Sequence, residues 1–384
     1  MLHPLCLMLL SCGQTPTLAD GTNGNVQPPA LVQTDNHNEL TFESFESSDD
    51  EADSFWEKRR DFADKHAPAG LLGDHVHDKG EVMFEYKYIN MYMDGNRFGT
   101  RRLTPSQALT VGQGLGTNFL ATPTDMQMEM HMAHFMYGLT DNVTVYTMLM
   151  FPVVTMDHIR NTPFPPNAPL AGLPFTTTNS GFGDMAFGAL WRVHKTDQDD
   201  VIVNLGFSVP TGDIDRLTSI PTGGASSVEF PYPMRLGAGT FNLRPGITYK
   251  HYMTYGSFGS QLQTDLPLGR NYDGYSVGDE FRFSTWYSHL IRQRFAASFR
   301  VENLWRSNFG GIDRDRTTTN PRAISTNRPD MRGGYWLSFG YGLMLLVGNG
   351  HLLNVEITHP VYQDLDGIQL ETDFSLFVSW SKAF

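Results

Sequence analysis

From Val82 to Phe384 the chain alternates apolar and polar residues with a period of two, segment after segment. At that spacing successive side chains leave a β-strand on opposite faces. In Val201–Pro210, Val201, Val203, Leu205, Phe207 and Val209 share one face, while Ile202, Asn204, Gly206 and Ser208 share the other. Phe241–Lys250 sets Phe241, Leu243, Ile247 and Tyr249 against Asn242, Arg244, Thr248 and Lys250. Phe295–Glu302 sets Phe295, Ala297, Phe299 and Val301 against Ser298, Arg300 and Glu302. Such segments run about ten to fourteen residues, the length of a tilted strand that crosses a bilayer, where soluble strands are usually shorter. No run of eighteen apolar residues occurs, which excludes a helical span. A mean hydropathy of −0.30 is what strands with one lipid face and one polar lumen face average to.

The pattern predicts an all-β, transmembrane, antiparallel up-and-down barrel of about twelve strands. The expected strands are Val82–Asp94, Met126–Gly138, Val143–Met156, Gly181–His194, Val201–Pro210, Gly239–Lys250, Ser257–Leu266, Gly278–His289, Arg294–Asn303, Tyr335–Leu346, Leu352–Thr358 and Leu370–Phe384. Short links (Leu139–Asn142, Lys195–Asp200, His251–Gly256, Leu290–Gln293, Val347–His351) alternate with long ones, the last long one being His359–Gln369. Outer-membrane barrels have short periplasmic turns and long external loops, so an even strand count places both termini in the periplasm. Trp191, Tyr249, Tyr287, Tyr335 and Trp380 fall near strand ends on the apolar face, where aromatic girdles sit. The last strand ends on Phe384, resembling the C-terminal signal read by barrel-assembly machinery.

Three segments follow. Residues 1–12 hold a short apolar run ending in Cys12, read as an export signal or lipoprotein box. Residues 13–81 form a periplasmic linker with an acidic tract at Glu43–Asp53. Within it, Ser54–His66 reads as a short amphipathic helix with Phe55, Trp56 and Phe62 on its apolar side, either a solvated tail segment or a plug that tucks into the barrel mouth. Residues 82–384 are the barrel. The only cysteines are Cys6 and Cys12, so the barrel has no disulfide framework. A net charge of −13 argues against nucleic acid as a partner; the expected partners are outer-membrane lipid and a small solute or ion.

Ser180-Gly181-Phe182-Gly183-Asp184 opens one strand, and Val209-Pro210-Thr211-Gly212-Asp213 closes the next. With these motifs the barrel resembles the outer-membrane family named for the meta-pathway of phenol degradation. The resemblance implies a barrel and a transport role. Ala67–His77 and a Met/His-rich second strand are similar to a subgroup of that family, a likeness that implies an association with copper handling.

The expected lumen residues are Glu129, Asp184, Arg192, Arg244, Lys250, Arg282, Arg300, Glu302 and Asp373. They form either an ion-pair lattice or a charge ladder that selects solutes. Met126, Met128, Met130, His131, His134, Met150 and His158 offer thioether and imidazole ligands suited to Cu(I), and His75 and His77 offer a second set ahead of the first strand. Because Glu129 and His131 make the better lumen residues, the favoured orientation of that strand turns its methionines to lipid. An outer-wall hydrolase needs His and Ser two apart on one face; Ser288 and His289 are adjacent, no His-x-Ser occurs, and no catalytic residue is assigned. The expected function is therefore an outer-membrane channel for a small solute and not an enzyme. The alternatives are a copper-associated barrel and a structural or adhesive one.

Overall fold

The computed structural model describes residues 55–56, 58–59, 61–114, 119–161, 172–219, 227–314 and 324–384. The expected signal and linker (1–12 and 13–53) lie outside them. Eleven strand elements pair into one closed antiparallel wall: β1 (Val82–Gly99), β3 (Ala121–Thr140), β4 (Val143–Arg160), β6 (Met185–Lys195), β7 (Asp199–Val209), β10 (Asn242–Met253), β11 (Gly256–Pro267), β13 (Glu280–Arg292), β14 (Phe295–Arg306), β16 (Gly334–Val347) and β17 (His351–Ala383). Six short strands lie off this ring: β2 (Arg101–Leu103), β5 (Pro174–Ser180), β8 (Leu217–Ser219), β9 (Ser227–Glu229), β12 (Tyr275–Ser276) and β15 (Gly310–Gly311). A helix, α1 (Pro105–Gly114), lies between β2 and β3.

The ring closes where β1 meets β17, from Met83 opposite Ala383 to Gly99 opposite Leu365. Residues 351–365 of β17 pair with β16, and residues 365–383 pair with β1, both antiparallel. A closed ring of antiparallel neighbours needs an even number of passes, so β17 reverses within itself. Gly367 takes the left-handed φ of +76° that a tight reversal requires, and Gln363 and Thr372 bond across the two arms. The wall thus makes twelve passes. The long loop expected at His359–Gln369 is strand nearly to its tip.

The lipid-facing set is continuous: Trp191, Tyr249, Tyr287 and Trp380 are exposed near the short-turn end. Tyr335 stacks with Trp305 and Tyr362 toward the other end. Among the described residues no helix is long and apolar enough to cross a membrane; the strands do so.

Inside the wall, the described residues of Ser54–His66 and the chain that follows form an irregular segment. Phe55, Trp56, Lys58 and Arg59 are helical, Ala63–Lys65 make one 3-10 turn, and residues 66–81 run without regular structure. Arg59 is fully buried, and Ala63, Ala67, Ala69, Leu71 and Val76 are buried with it. Irregular backbone at membrane depth is tolerated only where its polar groups are satisfied by protein, and here the lumen wall supplies the partners.

Candidate functional site: a plugged lumen with an upper chamber

The plug spans the barrel at the short-turn end. Arg59 donates to the carbonyls of Met253 and Gly256 and pairs with Asp64 at 2.7 Å. Ser257 and Lys250 donate to the carbonyls of Asp64 and Lys65. Asn354, Lys87, Gln261 and Thr248 donate to those of Ala67, Leu71, Leu72 and Gly73. His77 N–H reaches Thr144, and Arg192 reaches the Val76 carbonyl. These partners come from six wall strands, β1, β4, β6, β10, β11 and β17, so the plug is held from several sides. Its apolar residues Leu72 and Val76 pack against Met83, Met130, Met132, Met136, Met148 and Met150. Unbranched thioether side chains fill such an irregular interface well.

Gly70 is the point of closest approach. Its N–H donates to Glu356 Oε2 at 2.6 Å. A Cβ there would overlap the Arg300 guanidinium and lie 2.9 Å from Glu356 Oε2, so a larger residue would have to push Arg300 out of its ion pairs. From Glu356 a chain of alternating charge runs along the wall away from the plug. Arg300 Nε bonds Glu356 at 2.7 Å and its Nη1 bonds Glu302. Arg282 joins Glu302 (3.0 Å) to Glu280 (2.8 Å), and Arg306 holds Glu280 at 2.7 Å.

Beyond the plug lies a chamber of about 240 Å³. One side is methionine: Met91, Met93, Met126, Met128 and Met156. The other carries Arg282, Glu302, Arg306, Arg332, Trp336 and Phe377. Loops fold over it. Phe230 and Met234 pack on Met126 and Met156, and Ala108 of α1 packs with Leu103, Phe119, Met331 and Ile368. Arg235 ties three loops together through Glu229 (2.6 Å), Asp273 (3.1 Å) and Asp313, and bonds the Tyr275 hydroxyl at 2.9 Å.

Asp373 sits at a strand irregularity between Thr372 and Ser375, which line the chamber in its place, and it pairs with the exposed Arg102. Of the other residues expected in the lumen, Arg244, Lys250, Arg282, Arg300 and Glu302 lie on inward strand positions, and Arg192 reaches inward to the plug. Glu129 does not. The even positions of β3, Met126 to Met136, face inward, while Glu129 and His131 face outward. There Tyr88 donates to Glu129 at 2.5 Å, and Tyr86 pairs with His131 at 2.7 Å. The tyrosine hydroxyls of β1 satisfy these two polar groups, which removes the reason to bury them in the lumen. Asp184 accepts from the backbone N–H groups of Gly212 and Ala238, bracing two loops instead of lining the lumen wall. The favoured lipid orientation of the methionines is therefore reversed.

The expected metal set is split. Met126 and Met128 line the chamber, His131 points to lipid, His158 stacks on Phe175 at 4.7 Å, and Met130, Met150 and His134 lie beside the plug. His75 and His77 sit in the plug with ring centroids 4.9 Å apart. His66, missed by the sequence reading, stands 4.5 Å from the His75 ring, and ligand atoms of His66, Asp74 and His75 lie within 4.8 Å of one another. Burial pulls His66 well below the ordinary imidazole value. It lowers His75 too, against the pull of Asp74.

A closed antiparallel barrel with a wall-anchored internal plug and a chamber behind it defines an outer-membrane type of β-barrel. Residues 110–362 match the model of the family described as "Putative MetA-pathway of phenol degradation", and the chain belongs to that family. Among solved structures, an outer membrane channel from Pseudomonas putida F1 is similar, with a TM-score of 0.52 and 11% identity over 80% of this chain and 97% of that one. A Pseudomonas aeruginosa FadL homologue (TM-score 0.35, 13% identity, 79% and 89% covered) is a more distant likeness. So is the TodX monoaromatic hydrocarbon channel (TM-score 0.41, 9% identity, 84% and 94% covered). Comparison with curated proteins gave no match.

Proposed function

We propose that this protein is an outer-membrane channel for a small solute, with its plug and both chain ends on the periplasmic side and Phe384 presented to the barrel-assembly machinery. The observation that carries this reading is the hydrogen-bonded plug, which seals one end of a lumen that widens behind it into a chamber. A solid structural barrel has no need of a chamber, and a plug held by reversible polar contacts is suited to opening. Planar-bilayer conductance of the full chain against a chain starting at Val82 tests it. The expected result is steady conductance in the truncated form, on the order of ten times that of the full chain. Absence of conductance in both, with the barrel confirmed by heat-modifiable mobility, refutes a channel.

A second reading has its own support: His66, Asp74 and His75 form a set of donors, and the Nε2 atom of His75 is buried without a hydrogen-bond partner. Two imidazoles and a carboxylate suit Zn(II) or Cu(II) better than the thioether-rich site expected for Cu(I). Titrating the full chain with zinc or copper(II) is expected to give one ion per chain. That ion should be lost in the His66→Asn/His75→Asn double variant and kept in His131→Asn. Uptake equal in all three forms would rule the site out.

A further inference from the structure

The chamber holds a cation that nothing else on its walls accounts for. Arg332 is 8% exposed, and both its Nε and its Nη2 are buried without a hydrogen-bond partner. The other arginines of the chamber are matched. Arg282 is held by Glu280 and Glu302, and Arg306 is held by Glu280 while covering the Trp336 ring at 5.5 Å. Burial and the neighbouring Arg306 pull Arg332 down from the ordinary guanidinium value, against smaller pulls from Tyr232 and from Asp330, whose carboxylate is taken by Arg328. A guanidinium nevertheless stays charged in proteins, and an unpaired buried charge is costly. The Thr326 hydroxyl, also on the chamber wall, is a buried orphan as well.

Around this point charge the walls are apolar and polarisable. Met91, Met93, Met126, Met128 and Met156 face Trp336, Phe309 and Phe377. A space of 240 Å³ takes about eight water-sized groups, at ~30 Å³ for each. Thioethers make favourable contacts with ring edges. The planar fork of an arginine matches a carboxylate in two parallel hydrogen bonds. One uncompensated positive charge calls for one negative charge.

We propose that the chamber is a binding site for a small aromatic monocarboxylate, its carboxylate on Arg332 and its ring against the methionine wall. This deepens the channel reading and rests on it for the solute's passage, but the binding step stands on the chamber alone.

The test uses refolded full-length protein and two probes of nearly the same shape, benzoate and benzyl alcohol, followed by calorimetry. Wild type is expected to bind benzoate at least about tenfold more tightly than the alcohol, the range of a charged hydrogen bond. Arg332→Gln should collapse that ratio to near one while leaving benzyl alcohol unchanged, and Arg332→Lys should keep part of it, since charge remains but the fork is lost. Met128→Ala should weaken both probes. Equal binding of the two probes by wild type, no binding of either, or an undiminished ratio in Arg332→Gln would overturn the proposal. Conductance measured on the same samples separates the readings: benzoate binding without conductance would leave the site standing and sink the channel.

Discussion

Arg300→Met is expected to destabilise the barrel by about 3–5 kcal/mol, the cost of leaving buried partner charges unmatched. Arg300 is 2% exposed and bridges Glu356 to Glu302, both buried. Glu356 in turn accepts the Gly70 N–H, so the loss propagates to the plug. Urea-dependent loss of the compact, heat-modifiable form measures the stability, and proteolysis within residues 65–81 reports the plug. The Arg300→Met/Glu356→Met double variant should recover much of the stability, because removing both charges of a buried pair is often neutral. It should not recover plug protection, because replacing Glu356 also removes the acceptor of the Gly70 N–H. A single variant as stable as wild type would mean that the ladder is solvated.

Arg235→Met carries the second large effect, at the far mouth. Glu229, Asp273 and Asp313 share this cation, whose side chain is only 2% exposed. Its loss gathers three carboxylates without it, and the loops around Tyr232 and Tyr275 are expected to open at a cost near the lower end of about 3–5 kcal/mol. Acid should act in the opposite direction. Burial pushes Asp273 up to about 6, aided by Asp215 and Asp313. The folded form therefore keeps a proton that the unfolded form loses near 3.9. Loop docking gains stability as pH falls through 6, reaches its full gain below about 4, and loses it again as pH rises through 6. Amide exchange at residues 229–236 and 271–275, corrected for intrinsic rates, should slow between pH 7.5 and 5.5 in wild type. It should slow more steeply in Arg235→Met, where protonation relieves more repulsion. A pH-independent loop would refute the assignment.

Family membership was legible in the motif pair around Asp184 and Pro210, and the wall in the period-two alternation. The plug was only half legible. Arg59, Asp64 and Gly70 carry no local pattern, since their partners Gly256, Met253 and Glu356 lie some 190 to 290 residues away in sequence. The chamber's Arg332 was missed for the same reason: it follows a 3-10 turn in a loop that reads as solvated until the fold buries it.

By itself the sequence determined that each segment has two faces, that the chain spans a membrane with strands, and where the short turns fall, because alternation, segment length and turn spacing are local properties of the backbone. Only the tertiary structure decided which face of β3 turns inward. Period two separates faces without saying which is inside, and polarity misled here because Tyr86 and Tyr88 on the neighbouring strand satisfy His131 and Glu129 at the lipid side. Ring closure, the reversal at Gly367 and the filling of the lumen by Arg59 and residues 61–81 were likewise decided there. Each depends on long-range pairing that fixes the register of β17 against β1 and brings wall side chains to the plug's backbone.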